Sequence, residues 1–292
     1  MQHLVDTNNF SDAQITQLLH DAKTFKRQCP PKLLRDKLLI TLFFEASTRT
    51  RSSFEVAAKR LGASIVHLDP SRSSAKKGES LEDTFANLCA MEPDGVIVRH
   101  SKNETPQILA NMQTTPVINA GAGNYAHPTQ ALLDLFTMVE HFNGDVKGKT
   151  IAIVGDIVSS RVASSGIRLF TRMGMNVILV APEQFMPESD LSKYKNLEDV
   201  MDKADVIMSL RAQLERHETE LFEDYDDYAK QYCITKERMG NRNILLMHPG
   251  PVMRNIDISD EMLEDARCKV LTQVKNGVFM RMAILKLLLL DS

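Results

Sequence analysis

Short apolar runs alternate with helical patterns along almost the whole chain, and this alternation restricts the fold more than any other feature. Strand-like runs fall at residues 38–44, 64–68, 95–99, 116–119, 150–155, 176–180, 206–210 and 244–247. Between them the apolar residues switch to helical spacing. Ile15, Leu18, Leu19 and Ala22 share one face after Ser11, and Phe54, Ala57, Ala58 and Leu61 recur at i, i+3, i+4 and i+7. Leu81, Phe85 and Leu88 follow Ser80 and Asp83, which together read as a capping box, and Leu132, Leu135, Phe136 and Val139 mark a helix over 128–141. Strands separated by helices pair in parallel, so the expected class is α/β with largely parallel, doubly wound sheets.

A polar, glycine-bearing break at 143–149 is followed by a fresh strand–helix series, and 292 residues is a length for about two domains. The helix over 128–141 leads from the first domain into the second. The last helix, expected at 280–290, is apolar nearly all round and reads as buried. A net charge of −3 gives no global pull toward nucleic acid or a membrane. The run 282–290 is broken by Lys286 and too short to span a bilayer. Cys29, Cys89, Cys233 and Cys268 form no Cys-x-x-Cys pair or zinc pattern, and the first residues lack a basic segment followed by an apolar run. The expectation is a reduced, cytoplasmic protein with no membrane or nucleic-acid partner.

The chemistry begins where the first strand ends. Phe43-Phe44-Glu45-Ala46-Ser47-Thr48-Arg49-Thr50 runs from an apolar strand straight into a helix. Free N–H groups and the positive end of the helix dipole attract anions there. Ser47, Thr48 and Thr50 add short donors, and Arg49 adds a planar fork suited to phosphate oxygens. Three other segments carry polar groups at similar places. Arg99 ends the third strand, where ligands of such sheets gather. His127-Pro128-Thr129-Gln130 opens a helix, with His127 and Gln130 on one face. The loop Ser71-Arg72-Ser73-Ser74-Ala75-Lys76-Lys77-Gly78-Glu79-Ser80 is small, polar and basic.

The Ser-Thr-Arg-Thr-Arg turn after Phe-Phe-Glu-Ala resembles the phosphate loop of the carbamoyltransferases, the family of the aspartate and ornithine enzymes. The Lys-Lys-Gly-Glu-Ser run and the His-Pro-x-Gln opening resemble that family too, so the likeness covers nearly the whole chain. It implies that Ser47, Thr48, Arg49, Thr50 and Arg99 hold the phosphate of carbamoyl phosphate. It implies that His127 polarises the carbamoyl oxygen while Gln130 holds the carbamoyl amine. Ser73 and Lys77 are implied to reach into the active site of an adjacent subunit, in a homotrimer with shared sites. Larger assemblies with regulatory chains or dihydroorotase also occur in the family. The expected domains are 1–132, joined by the returning helix at 276–292, for carbamoyl phosphate, and 133–275 for the acceptor, with the active-site cleft between them.

The second half bears on the acceptor. Its first turn, Gly155-Asp156-Ile157-Val158-Ser159-Ser160, lacks the G-x-G-x-x-G fingerprint, which argues against a dinucleotide enzyme. Arg161 follows, and resembles the family arginine for the acceptor's α-carboxylate. Arg211-Ala212-Gln213-Leu214-Glu215-Arg216 resembles the loop in which the aspartate enzymes hold the side-chain carboxylate. Residues 211 and 213 face the same way if the chain is extended there. Pro249 and Gly250, in His248-Pro249-Gly250-Pro251, match backbone groups that bind the acceptor amine and the carbamoyl amide. Gly250 stands where better-known aspartate enzymes often carry Leu, and Met253 where many relatives carry Asn. No Ser-Met-Gly or His-Cys-Leu-Pro, the marks of ornithine enzymes, occurs. Two arginines and Lys77 suit a dicarboxylic acceptor and not ornithine's ammonium.

The resemblance therefore implies carbamoyl transfer to L-aspartate, an early step of pyrimidine synthesis, with Arg49, Thr50, Lys77, Arg99 and His127 as the catalytic set and no metal or cofactor. Transfer to ornithine or an acylated ornithine is the nearest alternative, and an inactive homologue with an assembly role is a more distant one.

Overall fold

The computed structural model describes residues 1–28, 30–68, 79–214 and 221–290. It divides into two compact units, one of Met1–Phe136 with the described residues from Val274 onward, the other of Thr137–Gln273. The chain passes from the first unit to the second within one helix, and returns within another.

In the first unit the strands β1 (Leu38–Phe43), β2 (Ser64–Leu68), β3 (Gly95–His100) and β4 (Val117–Ala122) form a parallel sheet in the order β2-β1-β3-β4. The crossovers are α2 (Thr48–Leu61), α3 (Leu81–Cys89) and α4 (Thr105–Asn111), with α1 (Asp12–Arg27) before the first strand and α5 (Pro128–His141) after the last. Ile40, Leu42, Val96, Val98 and Val117 face Phe85, Leu88 and Leu109 in one apolar cluster. A cluster of this kind is what short apolar strands need once a helix covers them. Ser11 caps α1 and exchanges hydrogen bonds with Gln14 as a full capping box. Gly62 ends α2 in the left-handed region at φ 90°, where a Cβ would also meet the Lys32 side chain.

In the second unit β5 (Thr150–Val154), β6 (Asn176–Val180), β7 (Ser192–Tyr194), β8 (Val206–Ser209) and β9 (Leu245–Met247) form a parallel sheet in the order β7-β6-β5-β8-β9. Its helices are α6 (Arg161–Arg172), α7 (Tyr225–Tyr232), α8 (Lys236–Met239) and α9 (Asp260–Leu263). The last helix, α10 (Val270–Leu290), returns to the first unit. Lys286 on it donates to Asp21 of α1 at 2.9 Å, and Lys26 of α1 donates to Asn276 at 2.8 Å. Among the described residues no helix is long and apolar enough to cross a membrane.

Four local differences from the sequence expectation have physical causes. β7 has three residues and no buried side chain, so it carries no apolar run to read. β4 continues past Asn119 to Ala122 because Gly121 takes a φ of 124° and its N–H is held by the Asn119 side chain at 2.8 Å. α10 starts at Val270, ten residues before the apolar stretch, and its opening turns expose Leu271 and Val274. Ser80 caps α3 by accepting from Asp83 N–H at 3.0 Å, but the Asp83 carboxylate accepts from the Ser80 hydroxyl at 2.7 Å, so the box is not reciprocal.

Candidate active site

Both sheets bring their polar residues to the point where strand order reverses, at the carboxyl ends of the strands. In the first unit this point lies between β1 and β3. Phe43 pairs in register with Arg99, and Phe44 N–H donates to the Arg99 carbonyl at 2.9 Å. The 44–47 turn is thereby set beside the end of β3. Ser47 is the N-cap of α2 and makes no side-chain cap bond, so its hydroxyl is not spent on the helix. Thr48 and Arg49 are exposed, and Thr50 is buried in the same first turn. Arg49 has no ion-pair partner among the described residues, and burial is the one influence that lowers its pKa from the usual arginine value. It stays a cation at neutral pH.

The Arg99 guanidinium is mostly covered. Its Nη1 donates to the Ala120 carbonyl at 3.3 Å, and its Nε lies 3.4 Å from the Glu45 carboxylate. Glu45 thus fixes Arg99 from the approach to the turn, a role the sequence reading did not assign. His100 beside it takes Lys102 N–H on Nδ1 at 2.9 Å and packs edge-on against Phe44 at 4.6 Å. Burial, and then Lys102, lower its pKa, so it serves as a neutral strut behind the turn.

His127 precedes α5 and is buried. The loop leading to it is tied back to β3 by Gly123 N–H donating to the His100 carbonyl at 3.0 Å, and to β4 by Ala122 N–H donating to Ala126 at 2.8 Å. Gly123 sits at φ 47°, and a Cβ there would overlap the Asn103 side chain. One turn into α5, the Gln130 amide N–H donates to Asp134 Oδ1 at 2.9 Å. A carboxylate only accepts, so this bond fixes the amide and leaves Gln130 Oε1 as the acceptor for a ligand N–H. Asp134 is fully buried, and Arg281 of α10 is buried with it. Arg281 donates to Ser53 of α2 at 3.1 Å and to Thr129 of α5 at 3.4 Å, and its guanidinium stacks 5.0 Å from the Phe54 ring. The helices α2 and α5, which carry the turn and Gln130, thus share one cation from α10. The sequence reading assigned nothing to Asp134 or Arg281. The i, i+4 spacing of Gln130 and Asp134, and a lone arginine in an apolar helix, were the signals available.

The second unit's reversal lies between β5 and β8. Leu210 N–H donates to the Val154 carbonyl at 2.8 Å, which joins the two strand ends. Gly155 has φ 116°, and a Cβ on it would come within 3.0 Å of the Leu210 carbonyl and of the Tyr228 hydroxyl. Only glycine lets these two turns approach so closely. Arg161 is the first residue of α6, whose N-cap Ser160 accepts from Ala163 N–H at 3.2 Å. Arg211 and Gln213 are half-buried on either side of the fully buried Ala212, the alternation of an extended segment. After β9, Gly250 N–H donates to His248 Nδ1 at 2.8 Å, with Pro249 and Gly250 half-buried and the Gly250–Pro251 bond cis.

The structure thus gathers Ser47, Thr48, Arg49, Thr50, Arg99, His127 and Gln130 around one sheet end, and Arg161, Arg211, Gln213, Pro249 and Gly250 around the other. Ser73 and Lys77 lie outside the described residues, as do Glu215 and Arg216 at the end of the segment that carries Arg211 and Gln213.

Two family models match the chain. The carbamoyl-P binding domain of aspartate/ornithine carbamoyltransferase matches residues 2–140, and the Asp/Orn binding domain of the same family matches 147–288. Similar proteins include the aspartate carbamoyltransferase catalytic subunit of Sulfurovum sp. (strain NBC37-1), 82% identical over 100% of this chain and 99% of that one. The subunit of the same name from Sulfurimonas denitrificans is 57% identical over 100% of both. Among solved structures, the catalytic subunit of M. jannaschii aspartate transcarbamoylase aligns with TM-score 0.90 at 31% identity, over 100% of this chain and 99% of that one. Aspartate transcarbamoylase from Trypanosoma cruzi, in complex with carbamoyl phosphate and aspartate, aligns with TM-score 0.88 at 32% identity, over 97% and 95%.

Proposed function

We infer, for a chain that belongs to the aspartate/ornithine carbamoyltransferase family, that it transfers the carbamoyl group of carbamoyl phosphate to the α-amino group of L-aspartate. The products are N-carbamoyl-L-aspartate and phosphate, and the reaction is an early step of pyrimidine synthesis in the cytoplasm. The observation that carries the choice of acceptor is the pair of arginines, Arg161 and Arg211, at one reversal point in the second unit. Two guanidinium groups match two carboxylates and would repel ornithine's ammonium.

In this reading the first unit holds carbamoyl phosphate and the second holds aspartate. Ser47, Thr48, Arg49, Thr50 and Arg99 bind the phosphate, and Gln130 Oε1 accepts from the carbamoyl NH₂. The neutral amine of aspartate forms a bond to the carbamoyl carbon, whose oxygen takes the displaced electron pair. That oxyanion is met by Thr50, Arg99 and His127. A donor of this kind is worth about 2.7–4 kcal/mol. The carbon–oxygen bond to phosphate then breaks, and the departing phosphate takes the amine proton. Arg161, Arg211, Gln213 and the backbone of Pro249 and Gly250 align the acceptor. Holding two small reactants in attack geometry contributes up to roughly 7–11 kcal/mol. Ser73 acts on the phosphate, and Lys77 on the phosphate and an aspartate carboxylate, in the active site of a neighbouring subunit, within a homotrimer with shared sites.

The test is phosphate release from carbamoyl phosphate, with aspartate or ornithine as acceptor. Release that requires aspartate is expected, and release with ornithine alone would overturn the acceptor assignment. Arg49→Ala and Lys77→Ala should each abolish turnover, and mixed trimers of the two should recover part of it. Verified mixed trimers with no recovery would count against shared sites.

A further inference from the structure

A buried carboxylate of the second unit lies behind both acceptor loops and has no role among the residues assigned so far. Asp257, in the segment between β9 and α9, has a fully buried side chain. Its Oδ1 accepts from Ala212 N–H at 3.2 Å, the residue between Arg211 and Gln213. Its Oδ2 accepts from Met253 N–H at 2.8 Å and contacts His248 Nε2 at 3.1 Å. Gly250 N–H donates to the other imidazole nitrogen, Nδ1, at 2.8 Å. Nδ1 is therefore the unprotonated nitrogen, and Nε2 carries the proton that is donated to Asp257. The Asp257 backbone is pinned as well, with its carbonyl accepting from Ile234 N–H at 3.0 Å.

We propose that Asp257, acting with His248, is a positioning residue that sets the spacing between the two acceptor loops. It rests on the reading of Arg211, Gln213, Pro249 and Gly250 as aspartate ligands. One loop is held through Ala212. The other is held through Met253 directly and through the imidazole to Gly250. A carboxylate fits this post because three N–H donors converge on it. Asparagine would offer one oxygen and turn an NH₂ toward a donor, and an apolar residue would leave buried N–H groups without acceptors. Burial of an anion is costly, and only a full set of donors stabilises it. Distances between the ligands of aspartate's side-chain carboxylate, its amine and the carbamoyl amide thus pass through one group.

The experiment compares Asp257→Asn, His248→Gln and His248→Asn with the wild type. His248→Gln keeps a donor toward Asp257 but loses the acceptor for Gly250 N–H. His248→Asn keeps that acceptor and loses the donor. In folded Asp257→Asn the aspartate KM should rise at least tenfold, with the equilibrium affinity for carbamoyl phosphate within twofold of wild type. Each His248 variant should show the same split at a smaller size. A merely structural role would lower the unfolding midpoint and the active fraction without moving the aspartate KM. An unchanged aspartate KM, or equal weakening of both substrates, overturns the proposal. If Asp257→Asn does not fold, the His248 pair decides it by the same criteria. Aspartate-dependent turnover in the wild type with unchanged KM in the variants defeats this proposal alone. No such turnover in the wild type defeats the underlying reading, and this one with it.

Discussion

Replacing Arg281 by methionine should destabilise the first unit severely, because the arginine is the cation of a buried group that an apolar side chain cannot replace singly. Arg281 is 3% exposed and Asp134 is 0% exposed. Burial pushes the guanidinium down to about 10, opposed by Asp134, so at neutral pH it remains charged. Methionine fills a similar volume but removes the donors to Ser53, Gly277 and Thr129. It also leaves the Asp134 carboxylate in the interior without that cation. Arg281 acts on Asp134 at longer range and not as a direct ion pair, so the bonds lost from a charged donor set the size of the effect, about 3–5 kcal/mol in all on the usual ~1.5–3 kcal/mol for each good one. For a protein of this size the fall in unfolding midpoint is roughly 6–20 °C, at about 2–4 °C per kcal/mol. Thermal unfolding by circular dichroism measures it. The double variant Arg281→Met with Asp134→Leu should regain part of the loss, since the buried carboxylate that the cation offset is then gone too, while the acceptors Ser53, Gly277 and Thr129 stay without their donor. It should not regain activity, because Gln130 then lacks the carboxylate that orients its amide. A single variant within about 1 kcal/mol of wild type, or a double variant whose loss equals the sum of the two single ones, would refute the reasoning.

Two further outcomes are expected. Gly155→Ala forces a Cβ against the Leu210 carbonyl and the Tyr228 hydroxyl at φ 116°, and should cost about 1–3 kcal/mol in denaturant unfolding; a stability equal to wild type would mean that the two turns do not meet as described. Asp265 is held well below its ordinary 3.8, first by the Arg267 side chain, which binds both its oxygens at 2.9 Å, and then by Arg267 N–H. A depressed carboxylate contributes stability that is present above its unfolded value and lost as pH falls toward the folded one. The gap between wild type and Arg267→Gln should therefore be full at pH 7 and narrow steadily below 3.8. It should not vanish, because Arg267 also donates to the Gly240 and Arg242 carbonyls. A gap of constant size from pH 7 to pH 2 would contradict this account.

Strand positions were legible because both sheets are parallel and covered, which forces short runs of apolar residues with no polar alternation. β7 escaped for the opposite reason: Ser192 and Lys193 are exposed, and its pairing with β6 rests on backbone groups that leave no trace in the side chains. The candidate site residues could be named from sequence because they occupy fixed stations in the chain, a strand end or a first helical turn, where hydroxyls and guanidinium groups stand out after an apolar run. Their supports could not. Asp134 sits in a helix in which a single polar residue resembles any solvated position, although it is fully buried. Asp257 is far in sequence from Ala212, and no local pattern announces that its oxygens end beside that N–H.

These supports share a physical logic. A site for a phosphate and two carboxylates needs cations and N–H donors, and those groups have no reason to stay near one another before ligands arrive. Acceptor groups set behind the binding face meet that difficulty. Glu45 lies 3.4 Å from Arg99, Asp134 takes the Gln130 amide at 2.9 Å, and Asp257 takes Ala212 N–H at 3.2 Å. In the proposed site each would hold a donor-bearing segment from the side turned away from the ligand. The cost of burying such an acid is met by donors already in the fold, so it does not fall on substrate binding. Loss of one of them should therefore loosen a ligand's geometry before it removes a ligand contact. That is why substrate-specific KM changes, and not the loss of activity alone, distinguish these residues from the ones that touch the reactants.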